Sequence, residues 1–187
     1  MILNIHGFGS NGNNSKAKWL QSVFGEERVL SPDLEFSPLD NLEYLRDLCS
    51  EKRPELIVGS SLGGFFSYCL CADFDIPCMI LNPALLPFLS LQDRIGSNTN
   101  PINGKSVTVT CTQLRQLAEL FHRYWMRTKP EFVNIFVCKD DELIPHKHLT
   151  RKFRPFVNQY VEFPKGTHRF RELDRLTPYV KELISRT

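Results

Sequence analysis

No stretch of this chain approaches the roughly 18 consecutive apolar residues that a bilayer-spanning helix requires. The first apolar run reaches His6-Gly7 before a signal-type core can form. The expectation is a chain that neither spans a membrane nor is exported. Charge of one sign is equally scarce. Against 23 Lys and Arg stand 21 Asp and Glu, a net charge of only +2, too small to draw the whole chain onto a phosphate backbone or an anionic membrane. Nucleic acid is therefore not an expected partner, and only a local basic patch would reverse that. The six cysteines, Cys49, Cys69, Cys71, Cys78, Cys111 and Cys138, include no C-x-x-C pair and no histidine at zinc-finger spacing, so neither metal nor cofactor is expected. Without an export signal they are expected to be reduced and mostly buried, which points to the cytoplasm. Internal repeats and low-complexity tracts are missing too, which excludes solenoids and disordered tails. No sequence feature assigns an oligomeric state.

What is present is the profile of a single globular domain covering residues 1–187, with 42% hydrophobic and 24% charged side chains. Short aliphatic runs alternate with helix-period segments. The runs are Ile2 to Ile5, Arg28 to Leu30, Leu56 to Val58, Cys78 to Leu81, Val133 to Val137 and Tyr160 to Phe163. This alternation predicts an α/β fold, a mostly parallel six-stranded sheet with helices on both faces. Asn14-Ser15 predicts a helix cap, with the helix stopping at Gly25. Ser37-Pro38 opens a second helix carrying Leu39, Leu42, Leu45 and Leu48, ended by Pro54. Further helices are predicted over about 62–72, 112–127 and 172–184. Between Asn82 and Gly104, three prolines and two glycines break all regularity, and this excursion reads as a small lid or binding loop over the sheet.

The chemistry-bearing residues lie where these strands end. Gly59-Ser60-Ser61-Leu62-Gly63 is a G-x-S-x-G sequence between a buried run and a helical one, the setting in which a sharp turn presents its central serine as a nucleophile. A serine capping a helix is the plain alternative. A serine hydroxyl needs an imidazole base, and the base needs an acceptor to fix its tautomer. The turn after Val137 supplies Asp140, Asp141 and Glu142. Asp141 is preferred as acceptor, with Asp140 second and a merely solvated acidic turn third. For the base, His168 follows the last strand in Gly166-Thr167-His168-Arg169-Phe170. His6, His122, His146 and His148 are the competitors, the last two in a basic stretch with Lys147, Arg151, Lys152 and Arg154 that reads as a solvated helix face. An oxyanion hole would draw one amide from Leu62 and one from Phe8 in the glycine-rich loop His6 to Gly12. That loop also reads literally as G-x-G-x-x-G, but with only Asp33 to close a second strand, a nucleotide site is the weaker interpretation. Phe65, Phe66, Leu85, Leu86, Phe88 and Leu89 are candidates for an apolar substrate pocket, with Phe65, Leu85 and Phe88 preferred, although such residues more often form core.

Taken together, His6-Gly7-Phe8, Gly59 to Gly64, the Asp141 turn and Gly166 to Phe170 resemble the α/β-hydrolase superfamily, and more narrowly the small bacterial esterases of the YqiA type. The resemblance covers nearly the whole chain. It implies a serine carboxylesterase without cofactor, with Ser61, Asp141 and His168 as triad, Phe8 and Leu62 as oxyanion donors, and a small acyl ester or thioester as substrate. Larger members carry antiparallel strands before the oxyanion loop, and their lack here implies a narrower sheet. Two other classes stay open. One is a binding or scaffolding protein on the same fold. The other is a hydrolase of lactone, amide or carbon–carbon bonds.

Overall fold

Along each central strand, successive side chains alternate between two buried faces, and each face has its own helices. This is seen in the computed structural model, which describes residues 1–102, 104–125, 127–144 and 152–186. Strands β1 (Ile2–Ile5), β2 (Val29–Leu30), β3 (Leu56–Ser60), β4 (Cys78–Leu81), β7 (Val133–Cys138) and β8 (Gln159–Phe163) form one sheet in the order β2-β1-β3-β4-β7-β8. Every neighbouring pair in it is parallel. Leu3, Ile5, Ile57, Cys78, Ile80, Val133 and Ile135 face helices α2 (Pro38–Lys52), α3 (Leu62–Phe74) and α5 (Cys111–Tyr124). Ile2, Leu56, Val58, Met79, Leu81 and Phe136 face α1 (Ser15–Phe24) and α6 (Thr177–Ser185). Strands apolar on both sides are what a parallel sheet between two helix layers demands.

Local chemistry sets the helix ends. Asn14 accepts the amides of Lys16 and Ala17 to start α1. Thr110 and Gln113 cap α5 reciprocally, which moves its start ahead of the predicted Thr112, and the helix stops at Tyr124 rather than Arg127. The last helix begins at Thr177, not Glu172, because Pro178 has no N–H and sits only in a first turn; residues Leu173–Leu176 form a tighter 3₁₀ turn instead.

The excursion over 82–104 is more regular than its prolines imply. It holds the single helical turn α4 (Pro87–Ser90) and then β5 (Gly96–Thr99), which pairs antiparallel with β6 (Ser106–Val109). These strands are short and mostly polar, so neither carries the aliphatic signal that marks the main sheet. His146, His148 and most of the basic stretch around them lie outside the described residues. No described helix is long and apolar enough to cross a membrane.

Candidate active site

Ser61 joins β3 to α3 with φ 55 and ψ −120, a left-handed backbone that a residue with a Cβ adopts only under constraint. The constraint is visible. Ser61 N–H donates to the Leu81 carbonyl at 3.0 Å, while its own carbonyl accepts from Gly64 and Ala84, each at 3.0 Å. The flanking glycines of the pentapeptide are sterically required. A Cβ at Gly59 would stand 2.1 Å from Ser67 Oγ, and one at Gly63 would stand 2.1 Å from the Ile5 carbonyl oxygen. Strand β1 thus passes directly behind the turn, and the loop after it curls over Ser61 so closely that a Cβ on Gly7 would lie 3.0 Å from the serine Cβ.

On the far side of β4, the turn after β7 and the loop after β8 bring an acid and an imidazole together. His168 Nδ1 lies 2.8 Å from Asp141 Oδ2, with the two side chains 12% and 1% exposed. The other oxygen, Oδ1, accepts the amides of Leu143 at 2.9 Å and Ile144 at 2.8 Å. A carboxylate so supplied with donors is fixed in orientation and accepts a hydrogen bond from Nδ1–H, the tautomer in which Nε2 carries the basic lone pair. Asp140 lies exposed on the same turn. Glu142, next to Asp141 in the chain, accepts the backbone amide of His168 through Oε2 at 2.9 Å, and that bond holds its carboxyl below the usual range.

Two side chains that the sequence did not single out brace the histidine loop from inside. Lys16, buried on α1, donates to the Arg169 carbonyl, and burial followed by the nearby Arg169 charge pushes its ammonium down to about 8. Asn82, fully buried at the end of β4, donates to the carbonyls of Thr167 at 3.0 Å and His168 at 3.1 Å, and accepts the amide of Cys138 at 2.8 Å. The available sequence signal was an asparagine immediately after a buried strand, a residue type that tolerates left-handed backbone.

Phe8 and Leu62 share the wall of one cavity of about 310 Å³, at the small end of the range for ligand pockets. Phe36, Phe66 and Val107 give it an apolar lining, with Val107 coming from the β5-β6 hairpin. The hairpin is tied to the glycine-rich loop after β1 by Asn100 Nδ2, which donates to the Ser10 carbonyl at 3.3 Å. His6 pins that loop from the other side. Its Nε2 accepts the Leu34 amide at 3.0 Å and its Nδ1 donates to the Gly7 carbonyl at 2.9 Å, so backbone engages both ring nitrogens, and burial lowers its pKa. Of the apolar residues expected to form a pocket, Phe66 lines this cavity, whereas Phe65, Leu85 and Phe88 sit elsewhere. Phe65 and Leu85 are buried in the core, and Phe88 packs half-buried against Phe121 with ring centroids 5.8 Å apart. Phe65 falls on α3, which packs against the sheet, and Phe88 on α4, which packs against α5, where apolar area is worth most when removed from water. Among the described residues, no group of His, Cys, Asp or Glu side chains is arranged to hold a metal ion.

Several known proteins are similar to this chain in sequence or in architecture. Residues 1–185 match the family described as Uncharacterised protein family (UPF0227). The UPF0227 protein YcfP of Salmonella paratyphi A is 24% identical over 192 residues, covering 98% of this chain and 96% of that protein. Among solved structures, the monoacylglycerol lipase of Paleococcus ferrophilus superposes with a TM-score of 0.72 at 17% identity, covering all of this chain and 94% of that one. Alpha/beta hydrolase domain-containing protein 10 from mouse gives 0.72 at 15% identity, with 99% and 89% covered. The six-stranded parallel sheet with its serine turn after β3 is an α/β-hydrolase fold, and the chain belongs to the UPF0227 family.

Proposed function

We propose that this protein is a serine hydrolase that cleaves carboxylic esters or thioesters of small or short-acyl substrates. The observation that carries the reading is the buried Asp141–His168 pair at 2.8 Å, on loops tied to the strand end that also holds the strained Ser61 turn. His168 Nε2 takes the Ser61 hydroxyl proton as Oγ attacks the carbonyl carbon. The amides of Phe8 and Leu62 receive the negative charge that develops on the carbonyl oxygen, with Leu62 at the positive end of α3. His168 then passes the proton to the departing alcohol or thiol, leaving Ser61 acylated. A water molecule repeats the sequence in reverse, giving up its proton to His168 and releasing the acid.

The size of the cavity beside the oxyanion loop supports a small or short-chain group on one side of the scissile bond. An ester as the bond is further supported by the likeness to a monoacylglycerol lipase. The experiment is covalent labelling with a fluorophosphonate probe, wild type against Ser61→Ala, followed by hydrolysis of a p-nitrophenyl ester series. Labelling confined to the wild type, with fastest turnover at short chains, is expected. Labelling that persists in Ser61→Ala moves the nucleophile elsewhere, and no labelling of either leaves a scaffold on a hydrolase fold.

A further inference from the structure

Three segments carry the proposed nucleophile, acid and base, and all three converge on residues 81–84. The serine turn is bonded there by backbone alone, through the Leu81 carbonyl and the Ala84 amide. The acid turn and the histidine loop are bonded there by one side chain. Asn82 accepts from Cys138, whose own carbonyl takes the Asp141 amide at 3.2 Å, and it donates to Thr167 and His168. Its backbone meanwhile continues the sheet, the Asn82 amide donating to the Phe136 carbonyl at 2.9 Å.

We propose that Asn82 is the positioning residue for His168, setting the height and angle of the imidazole over Ser61 through its carboxamide; this rests on the serine-hydrolase reading. Three features separate this role from that of an ordinary buried asparagine. The carboxamide's hydrogen bonds all go to the acid strand end and the base loop, and none serves its own strand. The residue has φ 42, outside the strand region, a conformation that turns the chain away from β4 and that asparagine tolerates better than most residues. And the donated bonds fall on the backbone carbonyls of the base residue and its immediate neighbour, so a shift of the amide moves the backbone from which the ring projects.

Two variants test it. Asn82→Gly keeps the left-handed backbone and removes the carboxamide. Asn82→Asp keeps an acceptor for the Cys138 amide and removes the paired donors to the loop. Turnover of p-nitrophenyl acetate is measured per folded molecule, and the ring resonances of His168 are followed by NMR as a readout independent of turnover. Both variants are expected to lose about 100-fold in kcat with KM changed by less than about threefold, the signature of a misplaced base rather than a lost substrate contact. The Nδ1 proton of His168 is expected to broaden or shift as its bond to Asp141 loosens. A variant whose melting temperature falls while kcat and the His168 resonance stay at wild-type values overturns the proposal. If wild type itself neither labels with fluorophosphonate nor hydrolyses the ester, the catalytic reading fails separately, and an unmoved His168 resonance in the variants then overturns the positioning role as well. Should Asn82→Gly fail to fold, Asn82→Asp decides by the same two measurements.

Discussion

Asp141 divides its carboxylate between two tasks: Oδ2 faces His168 Nδ1 at 2.8 Å, and Oδ1 ends its own turn by accepting the Leu143 and Ile144 amides. Asp140, one residue earlier, is exposed. Asp141→Asn presents an amide or the wrong tautomer partner to the ring and is expected to lower kcat by about 10⁴-fold, whereas Asp140→Asn stays within about twofold. Steady-state rates on one ester decide it, and equal losses in the two variants would refute the assignment.

His6 makes the glycine-rich loop after β1 sensitive to acid. Its ring is neutral in the folded chain and its pKa lies below the ordinary 6.5, with burial as the main cause. As pH falls, the unfolded chain therefore takes up this proton first. The stability contributed by the neutral ring is complete above about pH 6.5 and is lost as pH falls toward the folded value. Urea midpoints are expected to decline below about pH 6.5 in wild type and less so in His6→Gln. A wild-type midpoint that stays flat there contradicts this.

Lys16 acts at the other end of the scale. Its pKa falls from 10.5 to about 8 in the folded state, first through burial and then through Arg169. Between those values the unfolded chain holds a proton that the folded chain has released, so this group's contribution to stability rises with pH across that window. Wild type is expected to gain stability relative to Lys16→Met from pH 8 to pH 10.5, read as the difference between their urea midpoints. A constant difference would show that the ammonium is not held in a costly environment.

Val107 brings the hairpin to the cavity wall. Val107→Phe fills part of that space and is expected to lower kcat/KM for butyrate or longer esters about tenfold relative to acetate, since a methylene or two in an apolar pocket is worth that much discrimination. An unchanged ratio across the acyl series would place the substrate outside this cavity.

Much of the architecture was legible because it is written in local pattern. The six aliphatic runs became the six strands of the main sheet, with β2 shorter than expected because Arg28 falls in a 3₁₀ turn. Asn14 capped α1, and Pro38 opened α2. The β5-β6 hairpin escaped notice because Gly96–Thr99 and Ser106–Val109 lie largely exposed and have little need of apolar side chains. The cavity lining apart from Phe66 was missed for a different reason. Phe36 and Val107 are separated by two helix-strand units and the start of a hairpin, and nothing in a linear pattern says that they line one cavity. Phe65 and Leu85, which resembled pocket residues by proximity to the serine turn, went to the core instead.

Alternation of side chains and the residues that begin and end helices are properties of neighbours in the chain, so the sequence alone determined the layered fold and the glycine-flanked turn at Ser61. Which carboxylate meets His168, that Asn82 spans two loops, and that His6 accepts the Leu34 amide depend on groups tens of residues apart arriving within hydrogen-bond distance. Only the tertiary structure decided those, because a hydrogen bond at about 3 Å is set by the packing of entire strands and helices and leaves no period in the sequence.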